Sequence, residues 1–178
     1  NSNNGTITGA TFDSELGNYL NFDGVNDKVD LPAAFETAFD QPAKTLEIWL
    51  YATDGFAATG FGMGFSMNQS SLTYGRVIFQ YTDSTNLMQL LVGTGTGTYA
   101  ETTLISNYWH HLAISIDGAS TKLYKDGELV DTGTNNYGKD SSGTPTIGAY
   151  NVSSTHYWDG GIGQVRAYAS ALTEAQIR

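Results

Sequence analysis

Short segments in which apolar and polar residues alternate recur along the chain, and they constrain its fold more than any other feature. In the segment TLEIWLY, Leu46, Ile48 and Leu50 share one face of an extended strand. Trp49 and Tyr51 share the opposite face. One buried and one exposed face is the pattern of a strand in a sheet that packs on a single core.

About twelve such segments, each bounded by turn residues, are predicted as strands. They are Tyr19–Phe22, Lys28–Leu31, Thr45–Ala52, Gly62–Met67, Arg76–Tyr81, Met88–Val92, Tyr99–Leu104, His110–Ile116, Lys122–Tyr124, Glu128–Asp131, Thr146–Gly148 and Gly163–Tyr168. The sequence therefore predicts an all-β fold, a two-sheet antiparallel jelly-roll sandwich, formed by residues 1–178 as a single domain.

Two short helices are expected beside the strands. The segment Ala33–Phe39 follows Pro32, which fits the first turn of a helix. The segment Thr173–Arg178 places Thr173 and Gln176 at the spacing of a capping box.

Composition excludes several functional classes. The 178 residues include 8 Lys and Arg against 18 Asp and Glu, so the net charge is −10. Nucleic-acid binding needs clustered basic residues, and no nucleic-acid partner is expected. No stretch approaches the 18 apolar residues of a membrane span, so no membrane insertion is expected. Cys is absent, which excludes thiol chemistry.

The segment YLNFDGVNDKVDLP contains a loop that permits two interpretations. Asp23, Asn26 and Asp27 supply two carboxylates and an amide within five residues, and calcium prefers such oxygen ligands. Asp-Gly and Asn-Asp pairs also form plain turns without any metal. Zinc is not expected at His110 and His111, because neighbouring strand residues point to opposite faces.

A polar loop bracketed by aromatic residues is a candidate carbohydrate site. Tyr150, Tyr157 and Trp158 could stack on sugar rings, and Asn151 could bind hydroxyl groups. The alternative is that Tyr150 and Trp158 cap the core. Tyr74 and the segment Asn135–Tyr137 are further loop candidates.

Catalysis finds little support in the sequence. Glycoside hydrolysis needs two carboxylates that flank the scissile bond, and the Glu residues are isolated along the chain. The chain lacks a G-x-S-x-G nucleophile motif, and the Gly-rich segment GTGTGTY lacks the Lys of a phosphate loop. The chain is therefore expected not to be an enzyme.

Five segments in order resemble one family: LNFDGVNDKVDLP, TLEIWLYA, WHHLAISIDG with KLYKDGELV, PTIGAY, and WDGGIGQVRAYASALTEAQI. Together they resemble laminin-G-like, concanavalin-A-like jelly rolls related to pentraxins. The resemblance implies that the last strand returns beside the first part of the chain, and that calcium binds near the FDG loop with Asp159 close by. Family members often have an acidic pair where this chain has Gly163 and Gln164.

The sequence and the resemblance together predict a non-catalytic, lectin-like module that is stabilised by calcium and binds a glycan or cell-surface polysaccharide. Its predicted metal ligands are Asp23, Asn26, Asp27 and Asp159. Such a module would be part of a larger extracellular, cell-surface or virion protein, with other domains of that protein as further partners. The alternative is a structural or adhesion domain of a phage fibre or bacterial surface protein that binds no sugar. A glycosidase is the third interpretation.

Overall fold

The computed structural model describes residues 4–14, 17–54, 60–67, 76–93, 100–134, 144–152 and 155–177. Within these ranges, the backbone forms two antiparallel seven-stranded sheets, two short α-helices and one short 3₁₀ helix (Asp83–Thr85). The predicted all-β fold of two antiparallel sheets is therefore confirmed.

The described strands are β1 (Thr6–Thr8), β2 (Thr11–Asp13), β3 (Tyr19–Asp23), β4 (Lys28–Asp30), β5 (Ala43–Ala52), β6 (Phe61–Met67), β7 (Arg76–Thr82), β8 (Leu87–Gly93), β9 (Ala100–Thr103), β10 (Trp109–Asp117), β11 (Ser120–Lys125), β12 (Glu128–Thr134), β13 (Thr146–Ile147) and β14 (Asp159–Tyr168). The first sheet has the order β1-β4-β13-β6-β7-β8-β9. The second sheet has the order β12-β11-β10-β5-β14-β3-β2.

The main core lies between the two sheets, where the apolar faces of their strands meet. Leu46, Ile48 and Leu50 of β5 are completely buried, as the alternation in their segment predicts. Phe65 and Phe79 belong to the same core cluster from the first sheet. Burying a large apolar side chain contributes about 1.5–3 kcal/mol, so this layer supplies the main driving force for folding.

The C-terminal strand β14 lies in the second sheet between β5 and β3. It pairs antiparallel with β3, so that Asp159 lies opposite Asp23. The resemblance implied this return of the last strand to the first part of the chain. The pairing places β14 between the early strand β3 and the long central strand β5.

Both predicted helices are present. Helix α1 (Ala33–Phe39) matches the prediction, and its Phe35 and Phe39 rings stack with centroids 5.5 Å apart. Helix α2 (Glu174–Ile177) begins at a capping box in which the Thr173 N–H and hydroxyl both donate to Gln176 Oε1, at 3.0 and 2.9 Å. The local spacing read from the sequence is thus sufficient to identify this helix start.

Some features differ from the sequence prediction. Strands β1 and β2 were not predicted, because each has only three residues, too few to establish an alternation, and all but one of these residues are exposed. Strand β14 begins at Asp159 rather than at Gly163. The predicted loop candidates Tyr74 and Asn135–Tyr137, and residues 94–99 of the Gly-rich segment, lie outside the described residues.

In the described ranges no helix has both the length and the apolar character required to cross a membrane.

Candidate functional site

The outer face of the first sheet is partly covered. Met63, Ile78 and Leu91 form a small buried cluster that is separate from the main core, and Tyr150 packs against it. Ile78 alternates with Val77 and Phe79 of the main core, so it points to the outer face. The candidate sugar-stacking residue Tyr150 therefore acts at least partly as a cover for this cluster.

The other loop candidates are also tied to the fold. The Ser66 hydroxyl donates a hydrogen bond of 2.6 Å to Asn151 Oδ1, which anchors the loop to β6. Trp158 is 0% exposed and its Nε1–H donates to the Tyr51 carbonyl oxygen at 3.3 Å. The prediction that Trp158 stacks on a sugar requires correction, because its ring packs near Tyr81 in the core and has no exposed face. Tyr157 is half-buried.

The outer face of the second sheet carries an open groove in two connected parts. One part has a volume of about 670 Å³ and the other about 810 Å³, and Trp49 and Gln164 line both. The first part, which we call the aromatic half, is lined by Gly17, Asn18, Tyr19, Trp49, Trp109, Gly163 and Gln164. The second part, which we call the polar half, is lined by Glu47, Trp49, His111, Asp126, Gly127, Glu128, Gln164, Arg166, Gln176 and Ile177.

Aromatic rings from three strands meet in this groove. The Trp109 ring of β10 contacts Tyr19 of β3 edge-on with centroids 5.0 Å apart, and it contacts Tyr51 of β5 at 5.6 Å. Trp49 packs against His111 at 5.1 Å and is 42% exposed. The core-facing residues of β5 alternate with Trp49 and Tyr51, so the burial of the core itself directs these rings outward.

Glycine residues of β14 form the floor beneath the rings. A Cβ atom at Gly161 would lie 2.7 Å from the Trp109 ring, and a Cβ atom at Gly163 would lie 3.2 Å from Trp49 Cβ. The register of β14 against β5 shifts between Ile162 and Val165, both of which contact the core. A bulge of this kind places two successive residues on the outer face, and here they are Gly163 and Gln164.

These two positions are where related sequences were expected to have an acidic pair. In this chain Gly163 leaves space in the groove, and Gln164 supplies an uncharged amide that can both donate and accept hydrogen bonds. The departure from the family pattern thus falls inside the groove and changes its chemistry.

Charged side chains concentrate in the polar half. Glu47 is 5% exposed and its carboxylate lies 3.8 Å from the Arg166 guanidinium. Asp126 Oδ1 accepts a hydrogen bond of 2.9 Å from the backbone N–H of His111, and its Oδ2 lies at hydrogen-bond distance, 2.9 Å, from His110 Nδ1. Burial lowers the pKa of the His111 imidazole below its ordinary value, although the Glu47 and Asp126 carboxylates oppose this shift. His111 is therefore uncharged near pH 7.

His110 and His111 point to opposite faces, as expected for neighbouring strand residues. His110 is buried, and its Nε2 accepts a hydrogen bond from the Ile105 N–H at 3.0 Å. Because Nε2 accepts, the proton must be on Nδ1, where it donates to Asp126. The two ring nitrogens of His110 thus link β10 by hydrogen bonds to the Ile105 backbone and to the Asp126 carboxylate.

The acidic loop between β3 and β4 is closed by its own hydrogen bonds. Asp23 Oδ1 accepts from the Val25 N–H at 2.9 Å, and Asp27 Oδ2 accepts from the Asp23 N–H at 3.0 Å. Asp159 contacts this loop, since a Cβ atom at Gly24 would lie 3.2 Å from its Oδ2. Burial raises the pKa of the Asp27 carboxyl, and the hydrogen bond from Asp23 partly opposes the shift.

The donors of this loop only partly suit calcium. Asp23, Asp27 and Asp159 lie in one neighbourhood, but nowhere in the described ranges do three carboxylate or imidazole side chains converge on a point that could hold a metal ion. Calcium usually requires six to eight oxygen ligands. The described side chains do not supply such a set, and calcium binding by Asp23, Asn26, Asp27 and Asp159 stays a prediction.

Sequence reasoning did not identify the groove, although one signal for it was available. The alternation in β5 already places Trp49 and Tyr51 on the face opposite the core. A contiguous exposed patch of large aromatic rings often marks a binding surface. The contributions of Tyr19, Trp109 and Gly163 depend on strand pairing, which the sequence does not specify.

The fold and the groove define a class of protein, the two-sheet jelly rolls with an open groove on one sheet face. A family model described as the concanavalin A-like lectin/glucanases superfamily matches residues 23–178. The chain belongs to this family, in the branch called laminin G 3, and the predicted family resemblance is confirmed.

Solved structures of several larger proteins share the fold. Trypanosoma rangeli sialidase in complex with the inhibitor DANA matches with a TM-score of 0.72 and 14% identity, covering 98% of this chain and 28% of that chain. Domain 4 of AbnA, an extracellular arabinanase from Geobacillus stearothermophilus in complex with arabinotriose, matches with a TM-score of 0.67 and 21% identity, covering 98% and 80%.

A pentraxin from Limulus polyphemus matches with a TM-score of 0.59 and 17% identity, covering 77% of this chain and 68% of that chain. No curated protein matches the sequence. The chain spans less than a third of the sialidase that it matches. Sequence identities at this level establish a shared fold and do not show which ligand this chain binds.

Proposed function

We propose that this chain is a non-catalytic carbohydrate-binding module and that its sugar site is the groove on the outer face of the second sheet. The observation that carries the proposal is the exposed Trp49 ring between the aromatic half and the polar half. The sugar ligands printed for similar folds, arabinotriose and the sialidase ligands, support a glycan as the ligand class.

The chemistry of the groove suits a sugar. The C–H groups of a sugar ring form an apolar face that packs on an aromatic ring, and its hydroxyl groups need hydrogen-bonding partners. Trp49, Trp109 and Tyr19 offer the rings. Gln164 and Asn18 offer amide groups that can donate to and accept from hydroxyl oxygens.

The absence of catalysis is part of the proposal. Glycoside hydrolysis needs one carboxylate as an acid and another across the scissile bond. Glu47 is the carboxylate set deepest in the polar half, and Arg166 lies within ion-pair distance of it. We expect that the protein releases no reducing ends from arabinan, xylan or β-glucan. Hydrolysis by the unchanged protein that is lost in the Glu47→Gln variant would show instead that the groove is an active site.

The proposed site is tested by glycan binding. An array of neutral polysaccharides and sialylated glycans would identify ligands, and calorimetry would measure affinity, expected between micromolar and millimolar, or about −8 to −4 kcal/mol. Trp49→Ala is expected to weaken binding at least about tenfold, because truncating a central aromatic hot-spot residue typically costs about 2 kcal/mol or more, and about 1.4 kcal/mol is tenfold.

The matched control is Tyr108→Ala. Tyr108 is an aromatic residue that is 64% exposed and does not line the groove. This variant is expected to bind like the unchanged protein. Equal loss of affinity in both variants, or none in Trp49→Ala, would place the sugar elsewhere, and the half-buried Tyr157 would then be the next residue to change.

We further propose that the module acts outside the cell as one domain of a larger protein. The domain of an extracellular arabinanase among the similar structures supports this setting. Detection of the full-length protein in the culture medium or at the cell surface would support this location, and its retention inside the cell would contradict it.

A further inference from the structure

One row of groove residues crosses the second sheet, and Glu47 and Arg166 lie beside it as a pair one step further along β5 and β14. His111 of β10 is paired with Trp49 of β5. On its other side, Trp49 lies beside the bulge of β14 at Gly163 and Gln164. Ile162 of β14 is paired with Leu20 of β3 in antiparallel register, so the next residue, Gly163, lies beside Tyr19. The row therefore crosses four neighbouring strands at right angles to the chain direction.

This row is long compared with a single sugar. Neighbouring strands lie about 4.8 Å apart, so the three intervals from Tyr19 to His111 span roughly 14 Å. The hairpin turn at Asp126 continues the row, because the Asp126 N–H donates to the His111 carbonyl oxygen at 2.8 Å. An oligosaccharide of several units would be needed to contact both halves at once.

Both ends of the row lead to solvent in the described part of the chain. Gly17 and Asn18 at one end are exposed, as are Asp126 and Glu128 at the other. In the middle, Gly163 has no side chain to divide the aromatic half from the polar half. A trough of this shape accepts a chain that enters at one end and leaves at the other.

We propose that the groove binds internal stretches of a neutral, unbranched polysaccharide that lies across the strands, and that it does not select a terminal sugar. This inference rests on the proposed function and specifies its ligand class. The uncharged Gln164 at the centre and the carboxylates of Glu47, Asp126 and Glu128 in the polar half favour a neutral chain over a uronic or sulfated one.

A chain-length series tests the proposal. Linear arabino-, xylo- and cello-oligosaccharides of one to six units would be titrated by calorimetry, each also with its reducing end converted to the alditol. Affinity is expected to rise at least about tenfold from the monosaccharide to the tetrasaccharide and then to level off, since a second half of the groove adds contacts. Conversion of the end group is expected to change the affinity of the longer chains less than about twofold.

Gly163→Val places a barrier at the centre of the row. The Gly163 backbone does not have the left-handed conformation that would strain a larger residue. A Cβ atom there would lie 3.2 Å from Trp49 Cβ, so the variant is expected to fold with a small shift of the Trp49 side chain. Affinity for the hexasaccharide is expected to fall at least about tenfold. Thr132→Val, on the exposed edge strand β12, introduces the same side chain outside the groove and is expected to bind normally. Melting temperatures of both variants that equal the melting temperature of the unchanged protein would exclude misfolding.

Two results would overturn the inference and leave the proposed function intact. One is a monosaccharide that binds within about threefold of the hexasaccharide, and the other is loss of binding when the chain end is altered. If the unchanged protein binds none of these glycans and none on the array, the proposed function fails together with the inference.

Discussion

Lys44 is completely buried at the start of β5, 3.7 Å from the Asp40 carboxylate and with its amine 5.3 Å from the centre of the Phe39 ring. Burial lowers the pKa of this amine from 10.5 to about 7, and the attraction of Asp40 only partly opposes the shift. Such a pair costs more in desolvation than a surface pair and is retained only where the surrounding packing supports it.

The stability of the folded protein is therefore expected to rise between pH 7 and pH 9. Below pH 7 the amine is charged in both states, and the folded state carries the full cost of a buried charge. As the pH rises, the folded state releases the proton while the unfolded chain keeps it, so the free energy of unfolding increases by up to about 1.4 kcal/mol per pH unit. Urea unfolding at several pH values measures this slope.

Lys44→Met is expected to remove this rise and also to lower stability, because Asp40 would keep a buried charge without its cation. Lys28→Met removes a partly exposed cation and should preserve the rise. A rise that persists in Lys44→Met would mean that another group causes it. Above about pH 10 the slope should reverse, since burial raises the pKa of Tyr81 to about 12 while unfolded tyrosines ionise near 10, so the unfolded state then loses protons that the folded state keeps.

Asp27 closes the loop between β3 and β4 by accepting the Asp23 N–H. Asp27→Ala is expected to lower stability by about 1–3 kcal/mol, because a partly buried N–H would lose its partner. Thermal melts in calcium and in chelator, on the unchanged protein and on this variant, also test the calcium prediction. A calcium-dependent rise in melting temperature that Asp27→Ala removes would confirm it, whereas identical curves would show that the loop is only a turn.

At the scale of elements, the C-terminal segment after β14 packs on the outer face of the second sheet and limits the groove. The Ser115 hydroxyl donates to the Leu172 carbonyl oxygen, and Thr45 accepts the Leu172 N–H at 2.8 Å. Ile177 of α2 is buried with Ala113 and Tyr124. The last turn of the described chain therefore forms one wall of the polar half.

Ile177→Ala is expected to loosen this wall. Removing a buried Ile side chain typically costs about 2 kcal/mol or more, and the four-residue helix α2 is short enough to open locally in response. Hydrogen exchange of the α2 and Leu172 amides should become faster, while exchange in β5 stays slow. Uniform acceleration across the whole second sheet would show that α2 is instead part of the global folding unit.

At the scale of the whole molecule, the net charge of −10 sets which glycans can approach. A polyanion such as a sulfated chain is repelled over about one Debye length, roughly 10 Å at 0.1 M salt. We expect neutral polysaccharides to bind with little dependence on salt and heparin not to bind at low salt. Binding of heparin that weakens as salt is added would mean that a local basic patch outweighs the overall charge.

The fold could be predicted from the sequence because its signals are local. Alternation in β5, the capping box at Thr173 and the helix after Pro32 each depend on residues a few positions apart. The exposed strands β1 and β2 have only three residues each, too few for the alternation around Ile7 and Phe12 to identify them in this way. The contact between Asp159 and the acidic loop followed only from the family resemblance, since it depends on pairing between distant strands.

The sequence by itself determined the two-sheet architecture and the outward direction of Trp49, because the side-chain period of a strand is a property of neighbouring residues. Only the tertiary structure decided which aromatic residues meet. Tyr19, Trp109 and Gly163 come from three strands that are far apart in the chain, and strand order, register and one bulge bring them beside Trp49. The same long-range packing buries Trp158. The candidate sugar site proposed from the structure therefore lies on a sheet face, whereas the sequence had suggested a loop.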